Sequence, residues 1–162
     1  RASSALAAGV EVCTSYGPQA GFAPVSFRRR ALKRQYYFDC ACAACEREDG
    51  SQVLERRRRR ATQLDEQARK ACEREDWPTA IAFCAAAIDE LRQVFPAGST
   101  MLAHEEAKLA RLMFNGAESA EHAQLADAAL GRAVAALELC YGVEHEELKE
   151  LRHLQACLRS RR

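Results

Sequence analysis

The chain has 162 residues, of which 48% are hydrophobic and 29% charged, with a formal net charge of +1. That length holds one ordinary domain or two small ones, and no stretch is apolar for long enough to span a bilayer. The near-neutral total hides an asymmetry: residues 1–70 carry 14 Lys/Arg against 8 Asp/Glu, while residues 71–162 carry 10 against 15. Two halves of opposite sign are expected to do different work. Of eight cysteines, three are clustered and Cys72, Cys84, Cys140 and Cys157 lie in Ala/Leu-rich patterns, where a thiol acts as a small buried apolar group. This usage points to a reducing cell interior and away from a secreted disulfide scaffold. The opening phrase Ala5-Leu6-Ala7-Ala8-Gly9-Val10, preceded by Arg1, is too short for a secretory core and reads as starting inside a larger fold.

In chain order, Val10-Glu11-Val12-Cys13-Thr14-Ser15-Tyr16 alternates apolar and polar residues up to Gly17-Pro18, which predicts a short strand closed by a turn. Residues 17–25 read as loop. Ser26 is placed to cap a helix over about 27–37, with Phe27, Ala31, Leu32 and Tyr36 on one face. A cysteine knuckle and a polar linker, Glu46–Gln52, follow. From about residue 53 onward everything reads as helix. Leu64, Ala68, Ala71 and Cys72 form one stripe; after Trp77-Pro78 come Ile81, Cys84, Ile88, Leu91 and Phe95, stopped by Pro96-Ala97-Gly98. Leu102, Leu109, Leu112 and Met113 end at Asn115-Gly116; Leu130, Val134, Leu137 and Tyr141 end at Gly142; Leu148, Leu151, Leu154 and Leu158 form the last stripe. Helices of this length between short Gly/Pro breaks predict an antiparallel hairpin array like tetratricopeptide (TPR) repeats, although the match to a TPR consensus is weak.

The chemistry concentrates in Asp39-Cys40-Ala41-Cys42-Ala43-Ala44-Cys45. Thiols so closely spaced are too crowded for ordinary disulfide pairing, but they can converge on one tetrahedral Zn²⁺. A fourth ligand is required. Cys13 is the nearest candidate in sequence, none of His104, His122, His145 and His153 has ligand spacing to the cluster, and an upstream residue outside the chain is the expectation. Tyr36, Tyr37 and Phe38 lead directly into the metal loop, and Tyr16 ends the predicted strand. A metal fixing Cys40 also fixes these rings, which can hold a cationic or methylated amine by cation–π attraction of about 0.5–2 kcal/mol per contact. Simple packing of the rings around the metal is the alternative.

Glu11-Val12, Ser15-Tyr16-Gly17-Pro18 and Leu32-Lys33-Arg34-Gln35-Tyr36-Tyr37-Phe38-Asp39-Cys40-x-Cys42-x-x-Cys45 together resemble the end of a SET domain running into its post-SET zinc loop. More narrowly they resemble the SET and MYND domain (SMYD) family of protein-lysine methyltransferases, nearest the subfamily that also bears N-terminal TPR repeats. Glu106-Ala107-Lys108-Leu109-Ala110-Arg111-Leu112-Met113-Phe114-Asn115-Gly116 is similar to the helix before that family's last TPR-like hairpin, and Tyr141-Gly142 with Glu147-Leu148-Lys149-Glu150-Leu151 fits its ending. The resemblance implies a mainly α chain in three parts: the end of a SET domain over 1–25, a post-SET helix and zinc loop over 26–50, and a TPR-like helical domain over 51–162. It implies that Tyr16 is the catalytic tyrosine, and that Tyr36 and Phe38 wall the lysine channel. With Tyr16 these two also form the edge of an S-adenosylmethionine (SAM) site. It further implies that Cys40, Cys42 and Cys45 hold zinc with a cysteine from an Asn-His-Ser-Cys motif. That motif, the MYND finger and most SAM-binding strands are absent here, so the chain alone is expected to be inactive.

The implied partners are protein substrates presenting lysine, histone or non-histone, and a chaperone or chromatin protein at the helical domain. The implied location is cytoplasm and nucleus, with no membrane contact. A non-catalytic zinc-and-TPR scaffold is the rival from another class. The runs Arg28–Arg30 and Arg56–Arg60 read as solvated helix faces, with a phosphate or acidic-protein contact through Arg56–Arg60 as the alternative; no base-reading motif accompanies them, and nucleic acid is not the expected partner.

Overall fold

The computed structural model describes residues 7–9, 16–18, 23–48, 51–95 and 98–160. Among them every regular element is helical: α1 (Val25–Tyr36), α2 (Ala43–Glu48), α3 (Gln52–Cys72), α4 (Trp77–Arg92), α5 (Thr100–Asn115), α6 (Ala120–Tyr141) and α7 (Glu146–Ser160). The expected strand falls on residues 10–15, outside the described residues, and Tyr16, Gly17 and Pro18 have no regular structure.

Two expectations for the first third are corrected. Ser26 lies inside α1 and does not cap it. Pro24 occupies the cap, its fixed φ prepared for the turn, and its carbonyl accepts from the N–H groups of Phe27 (3.0 Å) and Arg28 (3.1 Å). The buried face is Val25, Arg28 and Leu32, a register in which Phe27 is 57% exposed and Tyr36 41% exposed. The supposed linker from Glu46 is also wrong at its start, because α2 begins within the cysteine loop and carries Cys45 and Glu48, three residues apart, on one buried face.

The remaining helices follow their local signals. Side-chain oxygens of Ser51, Asp76, Ser99 and Ser119 accept from backbone N–H groups in the first turns of α3, α4, α5 and α6. Pro78 sits in the first turn of α4, where a missing N–H is harmless.

From α3 onward consecutive helices run antiparallel. In α3 and α4, Arg57 meets Glu90 while Ala68 packs with Cys84, so rising numbers face falling ones. The same crossing joins α4 to α5 (Arg92 to Glu106, Trp77 beside Gly116) and α6 to α7 (Glu138 to Arg152, Asp127 to Arg159). The larger core gathers Leu130, Leu137, Leu148, Leu151 and Leu158 around alanines of α5 and α6; a smaller one holds Ala68, Cys84 and Ile88. In α5 the fully buried seam is Ala103, Ala107 and Ala110, while the expected Leu102, Leu109, Leu112 and Met113 are only half-buried. A helix packed by α4 on one side and α6 on the other needs small residues where its neighbours come closest. Burial pushes the Cys84 thiol up to about 12, in keeping with an inert core residue.

At Gly116 the end of α5 comes close to the start of α4. A Cβ there would stand 2.8 Å from Trp77 Cβ and 3.3 Å from Ile81 Cδ1. Gly116→Ala should therefore destabilise the chain by about 1–3 kcal/mol, an overpacking penalty. Gly131, inside α6, meets only Gln155 Nε2 at 3.5 Å. Gly131→Ala should stabilise by about 0.5–1 kcal/mol through helix propensity. Urea unfolding of the two variants should give opposite signs.

The last helix is tied back by Arg111 of α5, whose guanidinium reaches Glu147 and Glu150 at 3.0 Å each. The Arg111 hydrogen bond holds the Glu150 carboxyl below its ordinary 4.5. A depressed carboxylate contributes stability that is present above the unfolded pKa and lost as pH falls through the folded one. Stability should thus decline below about pH 4.5. Glu150→Gln should flatten that decline while lowering stability at pH 7 by under about 1 kcal/mol, since Glu150 is mostly exposed.

Candidate functional site

The site is built on α1 and the segment that follows it. At Tyr37 the backbone turns left-handed (φ 63°), and the Tyr37 N–H closes the helix on the Lys33 carbonyl at 3.1 Å. A left-handed residue reverses the chain direction abruptly, so neighbours on its two sides can face a common point. Tyr36 and Phe38 do so: their ring centroids lie 5.4 Å and 5.9 Å from that of Tyr16, both edge-on at 64° and 73°. Edge-to-face pairs at this separation are attractive beyond their area burial. Within this chain Tyr16 is 55% exposed, so the cluster is open on one side.

Immediately beyond, the sulfur atoms of Cys40, Cys42 and Cys45 all lie within 4.8 Å of one another. Three thiolates on a tetrahedral Zn²⁺ with bonds of about 2.3 Å stand roughly 3.8 Å apart, so the donor set fits such an ion with small rotations. Burial raises the Cys42 thiol, but the backbone hydrogen bonds from Cys45 and Ala44, with those of the neighbouring thiols, outweigh it and bring Cys42 below the usual thiol range. Backbone N–H groups aimed at a sulfur are what a metal-bound thiolate requires. Cys45 is buried and desolvation pushes it up to about 11, opposed by Arg28. Cys13 lies outside the described residues. His104 is engaged with Tyr141 Oη at 2.9 Å and Glu147 at 3.0 Å, and His153 faces Cys157 at 3.6 Å. Among the described residues the group of side chains that could hold a metal ion is the three cysteines.

Sequence reasoning missed what holds this loop in place. Arg28, at 2% exposure, donates to the Ala23 carbonyl (2.6 Å), to Glu48 Oε2 (2.7 Å) and to Cys45 Sγ (3.7 Å). Burial pulls the Arg28 pKa down, but the bonds to Glu48 and Cys45 prevail and hold it above its ordinary value. Arg29 donates to the Cys40 carbonyl at 3.0 Å, and Lys33 pairs with Asp39 at 2.6 Å. One helix thus splints the metal loop at three points. The available signal was the spacing Val25–Arg28–Leu32, which puts Arg28 on the buried stripe once the helix starts at Val25.

The arginine tract of α3 is in part the solvated face expected, with Arg56, Arg59 and Arg60 exposed, but Arg58 is largely covered and four of the five arginines meet carboxylates. Arg58 reaches Glu48 (2.8 Å) and Glu55 (3.4 Å), Arg59 reaches Glu55 (3.2 Å), and Arg57 and Arg60 share Glu90 at 2.7 Å and 3.2 Å.

Similarity to known proteins is confined to a short stretch. No family model matches the chain. Over 48 residues, 30% of the chain, it is similar to the protein-lysine N-methyltransferases SMYD4 of Danio rerio (46% identical) and Homo sapiens (44% identical). That of Mus musculus is 42% identical over the same length. The matched stretch spans 6% of the length of each relative. Over that stretch the chain is similar to SMYD protein-lysine methyltransferases.

Proposed function

We propose that this chain is the C-terminal part of a SMYD-like, SAM-dependent protein-lysine N-methyltransferase, of the subfamily that also carries N-terminal TPR repeats. In this reading residues 1–25 end the SET domain, residues 26–50 form the post-SET helix and zinc loop, and residues 51–162 form a TPR-like domain. The observation that carries the reading is the convergence of Tyr16, Tyr36 and Phe38, at 5.4 Å and 5.9 Å, beside the three thiols. The partial similarity to lysine methyltransferases supports it.

Tyr16 acts as the catalytic residue and Tyr36 and Phe38 as walls of a lysine channel. Zinc on Cys40, Cys42 and Cys45 would fix the backbone from which both walls project. SAM supplies the electrophilic methyl carbon, borne on a sulfonium. The chain's own part is to hold a neutral lysine amine in line. The Tyr16 hydroxyl hydrogen-bonds that amine, while the faces of Tyr36 and Phe38 exclude water and limit how many methyl groups fit. Three rings make one edge of such a site, so the assignment to this chain is the lysine-facing wall and not a complete enzyme.

Helices α3–α7 present the larger surface and would serve substrate or partner proteins, among them a chaperone or chromatin protein in cytoplasm and nucleus. No described helix is long and apolar enough to cross a membrane.

The test is methyl transfer by the full-length parent with labelled SAM. Tyr16→Phe keeps the ring that meets Tyr36 and Phe38 edge-on, so the thermal transition should shift little. It should lower turnover about 100-fold or more, the loss typical when one orienting hydroxyl is removed from a reacting centre. Wild-type turnover in Tyr16→Phe would remove the catalytic assignment.

A further inference from the structure

The buried charges around Cys45 extend beyond the metal loop. Glu48 Oε2 accepts from Arg28 at 2.7 Å and from Arg58 at 2.8 Å, so one carboxylate oxygen joins α1 to α3 through α2. Side-chain exposure is 2% for Arg28, 2% for Glu48 and 14% for Arg58. Arg58 has Glu55 as a second anion at 3.4 Å. Arg28 shares Glu48 and turns its other terminal nitrogen to Cys45 Sγ, at 3.7 Å. A guanidinium is a rigid planar fork, so the direction of one N–H bond sets that of the other. The position of Cys45 and that of Glu48 are thus linked twice, through the Arg28 fork and through one turn of α2.

We propose that Arg28 is a positioning residue for the metal site and that the Arg28–Glu48–Arg58 chain couples metal binding to the docking of the zinc loop on the N-terminal end of α3. The inference rests on the zinc assignment made above. A metal-bound Cys45 is a thiolate, the stronger acceptor for the Arg28 N–H, and charge-assisted hydrogen bonds are shorter and stronger than neutral ones. Metal binding therefore draws the fork toward Cys45 and fixes Glu48 in the orientation that receives Arg58. By reciprocity the preformed Glu48–Arg58 contact favours the metal. Residues outside the coordination sphere that hydrogen-bond a ligand commonly change metal affinity about 10–100-fold.

The test uses the full 162-residue chain loaded with Zn²⁺ or Co²⁺. Three properties would be followed: zinc affinity against a chromophoric chelator, the thiolate-to-cobalt charge-transfer band, and amide hydrogen exchange over residues 52–60. In the wild type, zinc should slow exchange across 52–60. Arg28→Gln should weaken zinc about 10–100-fold and move the cobalt band to longer wavelength, because a sulfur that loses its N–H donor gives up charge more easily. Arg58→Gln should keep the wild-type cobalt band while zinc no longer slows exchange in α3. Should Arg28→Gln not fold, Arg28→Lys keeps the charge but cannot serve Glu48 and Cys45 together, and should show the same band shift.

Wild-type affinity and an unmoved band in the Arg28 variants would overturn the inference and leave the zinc assignment standing. So would zinc binding that leaves 52–60 unprotected in the wild type. Absence of any thiolate-to-cobalt band in the wild type would remove both.

Discussion

A guanidinium buried at 2% exposure is the constraint around which the first third of this protein is arranged. Arg28 cannot leave its charge behind and cannot sit in the interior without acceptors. The Ala23 carbonyl, Glu48 and Cys45 supply them, from the segment before α1 and from two successive turns of α2. Removing one partner of such a buried pair ordinarily costs about 3–5 kcal/mol, because the survivor is left uncompensated. Surface pairs elsewhere, such as Lys149 with Glu146, are exposed and contribute far less.

The arrangement explains how a six-residue helix and a loop of cysteines sit in a defined position without a large core of their own. The two apolar clusters lie among α3–α7, and the buried apolar residues among the described residues of the front segment are few: Val25, Leu32 and Cys45. Polar anchors do there what leucines do in the helical array. The basic excess of the first half and the acidic excess of the second are partly spent in the same way, as Arg57 and Arg60 of α3 both reach Glu90 of α4.

How much of this could be read beforehand follows from range. Signals confined to one turn were legible in part: the stop at Asn115-Gly116 and the close spacing of Cys40, Cys42 and Cys45 were read, whereas the one cap read, Ser26, lies inside α1, and the caps that do form, Ser51, Asp76, Ser99 and Ser119, were not singled out. The convergence of Tyr16 with Tyr36 and Phe38 was expected from resemblance, and its geometry follows from the left-handed turn at Tyr37. What stayed hidden depends on partners far along the chain. Arg28 looks like a surface residue until Glu48, twenty positions on, is known to meet it. The same holds for the Arg57–Glu90 pair within the tract Arg56–Arg60, because Glu90 is thirty-three residues from Arg57. The alanine seam of α5 was overlooked because apolar periodicity weighs large side chains, whereas close helix approach selects small ones.

The central claim is that Cys40, Cys42 and Cys45 act together as one metal clamp beside the three rings. X-ray absorption at the zinc edge of the zinc-loaded chain tests it most directly. Three sulfur neighbours at about 2.3 Å in a four-coordinate shell are the predicted result. A shell of oxygen and nitrogen alone, or a single sulfur, would contradict it.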